Sequence, residues 1–154
     1  MLYQYGKDES DNDNLNRLIS SEQLILNPIA DPLHTVLLKV PANEIVLLDA
    51  FYCQVQTGIV PGFRNMNVYW FSASGGPPVQ IRANYAQPAS LVRTYYFIRD
   101  VDSYAIANFN SIQTRLPLLP IYGEGEIIAF IDGYFAGDTI VEPMAFYHRL
   151  LLNQ

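Results

Sequence analysis

The sequence predicts an all-β fold, an antiparallel β-sandwich of jelly-roll-like type that follows a short N-terminal arm. From Asn27 onward, apolar and polar residues alternate with a period of two, as in strands that bury one face. Glycine and proline turn signals separate these segments, and no long amphipathic helix follows residue 26. The 154 residues suit one domain, which we place at 27–154, with the arm at 1–26.

The strand signals can be followed in order along the chain. A tight turn at 41–44 separates the first two segments, and a Gly-Gly-Pro-Pro breaker lies at 75–78. The region 102–113 is ambiguous, and two prolines in 116–120 exclude a central strand there. Seven or eight strands are therefore expected. The clearest segments are 32–40, 45–56, 67–72, 79–82, 91–99, 126–131 and 139–152.

The arm has a different composition from the rest of the chain. Residues 8–14 form an acidic, polar run with nothing to bury. Next come Leu15, Leu18 and Ile19, whose helical spacing allows a short helix of about two turns. The alternative is an extended arm that becomes ordered only on a neighbouring subunit. In either case, we expect the arm to bind a partner through these three apolar side chains.

The composition favours association with protein. Charged residues make up only 16% of the chain, Tyr is the most frequent aromatic at 11, and Lys occurs only at positions 7 and 39. Interfaces are rich in Tyr and poor in Lys, so a homo-oligomer is expected. The net charge of −6 argues against nucleic acid and anionic membranes as partners. No apolar run is long enough to span a membrane and no secretory signal is recognisable, so we expect a soluble protein.

Residues for catalysis or metal binding are few. The chain has two histidines, His34 and His148, and one cysteine, Cys53, in an apolar segment. These do not suggest a nucleophile and its base, so an enzyme is not expected, nor is a cofactor. Asp132 and Asp138 bracket a glycine-containing turn and are the weak candidates for calcium. Because Asp and Gly are also ordinary turn residues, a structural turn without metal is the favoured interpretation.

Sugar binding is the alternative function for such a domain. Tyr69, Trp70 and Tyr95 offer aromatic faces on which a sugar ring could stack. Alternate residues of a strand face the core, however, and Trp70 between two aromatic residues is typical of a core position. The alternative is therefore a carbohydrate-binding β-sandwich module, lectin-like or part of a phage tail.

One stretch of the chain resembles a known family. The acidic arm, the turn Val40-Pro41-Ala42-Asn43-Glu44 and the strand Ile45-Val46-Leu47-Leu48 look like the opening of small β-sandwich capsid decoration or cement proteins of bacteriophages. The resemblance implies a non-enzymatic virion structural protein at the capsid surface. It also implies a symmetric oligomer, with a trimer favoured, that binds and stabilises the particle shell.

Overall fold

The computed structural model describes residues 18–25, 35–71, 73, 78–102, 104–106, 110–118 and 120–151. This part of the chain contains eleven strands and no helix, so the all-β prediction is confirmed. The strands are β1 (Leu18–Ile25), β2 (Thr35–Lys39), β3 (Glu44–Gln56), β4 (Asn65–Phe71), β5 (Val79–Arg82), β6 (Val92–Arg99), β7 (Tyr104–Ile106), β8 (Ser111–Leu116), β9 (Pro120–Tyr122), β10 (Glu126–Asp132) and β11 (Thr139–Leu151).

The strands form two sheets, as expected for a β-sandwich. The larger sheet has the order β1-β11-β3-β6-β8-β7, and β9 also pairs with β3. The smaller sheet has the order β2-β10-β4-β5. All neighbouring strands are antiparallel except β6 and β8, which are parallel. The larger sheet is therefore mixed at this pair, because β7 and β8 form a hairpin whose second strand lies beside β6.

The core lies between the two sheets. Along β3, the residues that face the core change from even-numbered to odd-numbered positions. Val46 and Leu48 face inward, but the next inward residues are Phe51, Cys53 and Val55. The change occurs at a β-bulge, where β3 has one extra residue relative to β11. From the smaller sheet, inward side chains include Met66, Val68, Trp70, Ile127, Ala129 and Ile131.

The segment Leu18–Ile25 corrects the predicted boundary of the arm. It is a strand that pairs with β11 from Leu150 to Met144, so the larger sheet includes residues that the sequence assigned to the arm. A helix is therefore wrong for Leu18 and Ile19. The ladder hydrogen bonds offered by the 13-residue strand β11 outweigh a weak helical pattern. Leu15 and the other residues before Leu18 lie outside the described residues.

The region after β6 contains strands where the sequence signal was ambiguous. The ambiguous stretch 102–113 contains β7 and the start of β8. Pro120 is the first residue of β9, where a strand tolerates a missing donor. In the described part of the chain, no helix has the length and hydrophobicity needed to cross a membrane.

Candidate functional site

The loop between β3 and β4 presents apolar side chains to solvent at one end of the sandwich. Residues 58–63 read Gly-Ile-Val-Pro-Gly-Phe and carry no charge. Ile59 is 86% exposed and Phe63 is 71% exposed, with Val60 partly exposed between them. Single exposed apolar residues are ordinary, but a cluster of them is typical of a contact surface. We call residues 58–63 the apolar loop.

A buried ion pair lies directly beneath the apolar loop. Arg64 is the residue that follows the loop, and it contacts Asp138 in the turn before β11. Its Nε donates to Asp138 Oδ2 at 2.8 Å, and its Nη2 donates to Oδ1 at 3.1 Å. Both side chains are almost completely buried, at 1% and 0% exposure. Planar two-point pairing of this kind fixes the orientation of the guanidinium as well as its position.

The same ion pair holds both ends of the apolar loop. Asp138 Oδ1 accepts a hydrogen bond from the backbone N–H of Gly58 at 2.8 Å. Arg64 Nη1 donates to the carbonyl oxygen of Gly62 at 2.8 Å. Asp138 Oδ2 also accepts from the N–H of Phe135 at 2.9 Å. The ends of the loop and the turn before β11 are therefore fixed by one set of charged hydrogen bonds.

The ring of Phe135 packs against Arg64 and lies close to Gly62 of the apolar loop. The guanidinium carbon of Arg64 lies 4.6 Å from the centre of the Phe135 ring, within the range of a cation–π contact. Gly62 has a φ of +146°, and a Cβ atom there would lie 2.7 Å from the Phe135 ring. Glycine is favoured at this position because other residues rarely adopt this φ and because a Cβ atom would displace the Phe135 ring.

A second group of hydrogen bonds ties the start of the loop to the segment before β6. Thr57 Oγ1 donates to the Pro88 carbonyl at 2.7 Å and accepts from the Leu91 N–H at 3.0 Å. The Ser90 N–H donates to the Gly58 carbonyl at 2.9 Å. Beside this contact lies a cleft of about 220 Å³, lined in part by Ile59, Leu91 and Val92. The apolar loop and this cleft together form the candidate docking surface.

Comparison with family models, with curated proteins and with solved structures found no match for this chain.

The buried ion pair makes the stability of the fold depend on pH. Burial alone raises the pKa of Asp138, but hydrogen bonds from Arg64, Phe135 and Gly58, with the charge of Arg64, outweigh it and lower the pKa below its ordinary 3.8. A lowered carboxylate pKa stabilises the fold above the ordinary value, and this contribution is lost as the pH falls through the folded-state pKa.

We therefore expect the free energy of unfolding to decrease as the pH falls below about 4. Urea unfolding at a series of pH values measures this decrease, and Asp138→Asn should make the curve flatter. Asp132→Asn is the matched control, because Asp132 is 55% exposed in its pair with Arg82. If the two variants had equally steep acid transitions, Asp138 would not be the carboxylate responsible.

The structure separates the two aspartates proposed for calcium. Asp138 points into the core and its oxygens accept from Arg64 and two backbone N–H groups. Asp132 lies on the surface, 3.2 Å from Arg82. In the described part of the chain, no three acidic, histidine or cysteine side chains come together as a metal site. The paired-carboxylate calcium site is therefore wrong, because Arg64 occupies the position that a cation would take.

The predicted stacking residues point in different directions. Trp70 is 3% exposed and Tyr95 is 1% exposed, so both belong to the core. The Tyr95 hydroxyl donates to Gln87 Oε1 at 3.1 Å, and burial raises the pKa of Tyr95 to about 12 although Arg93 opposes the shift. Only Tyr69, the neighbour of Trp70 on β4, is partly exposed. A stacking platform made of these three residues is wrong, because adjacent residues of a strand face opposite sides.

Of the residues first considered for catalysis, the structure describes Cys53, which is buried, and His148, which contacts a carboxylate. Cys53 is fully buried, and burial raises the pKa of its thiol well above the ordinary value. His148 Nδ1 contacts a carboxylate oxygen of Asp49 on the larger sheet. His34 lies outside the described residues.

Sequence reasoning missed the apolar loop as a site. The glycines and proline of this segment are ordinary turn residues, and Arg64 is one of seven arginines in the chain. The available signal was the uncharged segment Gly-Ile-Val-Pro-Gly-Phe at 58–63, with an arginine directly after it. Asp138 is 74 positions away, so no local pattern could pair the two side chains.

Proposed function

We propose that this protein is a non-enzymatic virion structural protein, a capsid decoration or cement protein that binds the particle shell as a symmetric oligomer, with a trimer favoured. The observation that carries the proposal is the apolar loop, an exposed uncharged contact surface held by a buried ion pair. The resemblance of residues 40–48 to decoration proteins supplies the virion context.

The rigid support of the loop favours this use. Flexible loops lose conformational entropy when they bind, which reduces affinity. Here, Gly58 and Gly62 are held by Asp138 and Arg64 before any partner arrives. The exposed side chains of Ile59 and Phe63 are therefore already arranged to enter an apolar depression on a partner protein. Preorganised apolar anchors at the centre of a contact typically supply most of its binding energy.

The strand order gives further support. The chain alternates between the sheets from β1 to β4, and β11 and β10 lie next to β1 and β2 respectively. This strand order supports the proposal of a jelly-roll-like fold, which the resemblance implies. It brings the β3–β4 loop and the turn before β11 to one end of the sandwich, where they can contact a shell together.

The carbohydrate-binding alternative has less support. Two of its three aromatic residues, Trp70 and Tyr95, lie in the core. Tyr69 remains on the outer side of the smaller sheet, where its ring centre lies 6.1 Å from that of Phe71.

We expect Phe63→Ser to weaken binding to the shell by about tenfold or more, because Phe63 is the largest exposed anchor of the loop. The assay is co-sedimentation of the full chain with empty capsids from a panel of tailed phages, stripped of their decoration proteins. Ile59→Ser should act in the same direction.

Leu118→Ser is the matched control, because Leu118 is also an exposed apolar residue, at 59%, but lies outside the loop. It should leave co-sedimentation unchanged. Failure of the wild-type chain to bind any shell would contradict the proposed function, and equal losses in Phe63→Ser and Leu118→Ser would contradict the role of the loop.

A further inference from the structure

The outer side of the larger sheet carries an apolar depression that the docking surface does not use. It lies across three adjacent central strands, β11, β3 and β6, and has a volume of about 400 Å³. We call it the outer groove. Its principal side chains are Ala50, Tyr52, Tyr96, Ile98, Met144 and Phe146.

The composition of the outer groove is unusual for a sheet face that meets solvent. Outer faces of antiparallel sandwiches ordinarily carry polar residues. Among the described residues that line the groove, Glu142 is the only charged one. Ion pairs occur on both sheets, such as Lys39 with Glu126 on the smaller and Asp49 with Arg99 on the larger, but these residues do not line the groove. Aromatic residues and Met, as found in the outer groove, are enriched in protein interfaces.

The borders of the outer groove are polar. Toward one end, Asp49 accepts from Arg99 at 3.0 Å and contacts His148. Glu142, at the other side, is the extra residue of a second β-bulge and has a φ of +51°. Bulges bend and twist a strand, so these two irregularities delimit the groove along β3 and β11. An apolar centre with a polar rim is the usual organisation of a protein–protein contact.

We infer that the outer groove is the surface through which two copies of this chain associate about a two-fold axis, with Phe146 of each copy packed in the groove of the other. This inference rests on the proposed function in that it assigns a two-fold contact of the proposed symmetric oligomer. Phe146 is 38% exposed and stands at the side of its own groove. The same surface therefore provides both a partly exposed ring and a depression, as a two-fold contact between identical subunits requires.

The outer face of the larger sheet is large enough to bind a second copy of the chain. β3 and β11 have 13 residues each, which corresponds to a length of about 40 Å. Five adjacent strands span about 24 Å, and because the flanking strands are shorter, the whole outer face of the larger sheet, with the groove at its centre and the polar borders included, measures on the order of 800 Å². This is about the area that each partner contributes to a stable protein interface. A small ligand would cover only the groove itself.

Electrostatics favour this face for contact between copies. Each copy has a net charge of −6, so two copies repel each other over most of their surfaces. The repulsion is weakest where charged side chains are few. The outer groove, with Glu142 as the single charge in its described lining, meets this condition.

Sedimentation velocity of the full chain, from micromolar concentrations to about 100 µM, tests the inference. The expected mass of the wild type is a small multiple of 17.4 kDa. Phe146→Lys and Ile98→Lys should each weaken association by about tenfold or more, because each places an ammonium group in an apolar contact. Phe146→Ser is the milder variant if a lysine variant fails to fold, and near-ultraviolet circular dichroism checks folding.

Val36→Lys is the matched control, since Val36 is 47% exposed on β2 of the smaller sheet. It should leave the mass unchanged. A monomeric wild type at the highest concentration overturns the inference, and so does an oligomer that survives in folded Phe146→Lys and Ile98→Lys variants. Shell co-sedimentation of the same proteins separates the two proposals: an oligomer that binds no shell contradicts only the proposed function, and a monomer that binds shells contradicts only the interface.

Discussion

Arg64→Met should lower the free energy of unfolding by about 3–5 kcal/mol. The variant leaves the buried carboxylate of Asp138 without its cation, and the carbonyl of Gly62 loses the Nη1 donor. Removing one member of a buried pair is far more costly than removing an exposed pair, because the remaining charge stays out of water. Urea unfolding followed by circular dichroism measures the change.

Arg82→Met is the matched control for this prediction. Arg82 also pairs with an aspartate, Asp132, but both side chains are 55% exposed. Exposed pairs contribute about 0–1 kcal/mol, so the control should unfold at nearly the wild-type urea concentration. Similar losses in the two variants would show that the Arg64–Asp138 pair has no special role in holding the apolar loop.

Phe97→Ala should lower the free energy of unfolding by about 3–5 kcal/mol. Phe97 is completely buried, and the β3–β6 register places it opposite Phe51, with the ring centres 6.1 Å apart. Truncation removes buried apolar surface and leaves a cavity between the sheets. The same urea experiment, with the midpoint and slope recorded separately, measures the loss.

Val92→Ala on the same strand is the control, because Val92 is 51% exposed. Its effect should stay within about 0.5 kcal/mol. Comparable effects at the two positions would contradict the assignment of Phe97 to the core, and with it the register of β6 against β3.

Local patterns in the sequence determined much of the fold class. The aromatic and β-branched residues in 91–99 predicted a strand, and β6 is that strand. Turn residues predicted the reversal at 41–44, where the Glu44 N–H donates to the Pro41 carbonyl at 3.1 Å. These features depend on backbone preferences over a few residues, which each residue type carries with it.

The direction of the aromatic side chains was less accessible to sequence reasoning. Alternation places Tyr69 and Trp70 on opposite sides of the strand, and only the aromatic neighbours of Trp70 favoured it as the core residue, which it is at 3% exposure. In β3, the bulge near Asp49 changes the phase, so counting from Val46 would place Phe51 correctly only if the extra residue were known. A bulge depends on the partner strand and leaves no clear local signal.

The sequence by itself determined that this protein is built from β-strands, that its composition favours protein contacts, and that its predicted strands are divided by glycine and proline. Tertiary structure alone decided that Leu18–Ile25 joins the larger sheet, that β8 lies parallel to β6, and that Arg64 meets Asp138 beneath the apolar loop. The physical reason is the distance along the chain over which each kind of interaction acts. Strand propensity acts between neighbours along the chain, whereas strand partners and buried charge pairs are selected by the packing of the whole sandwich.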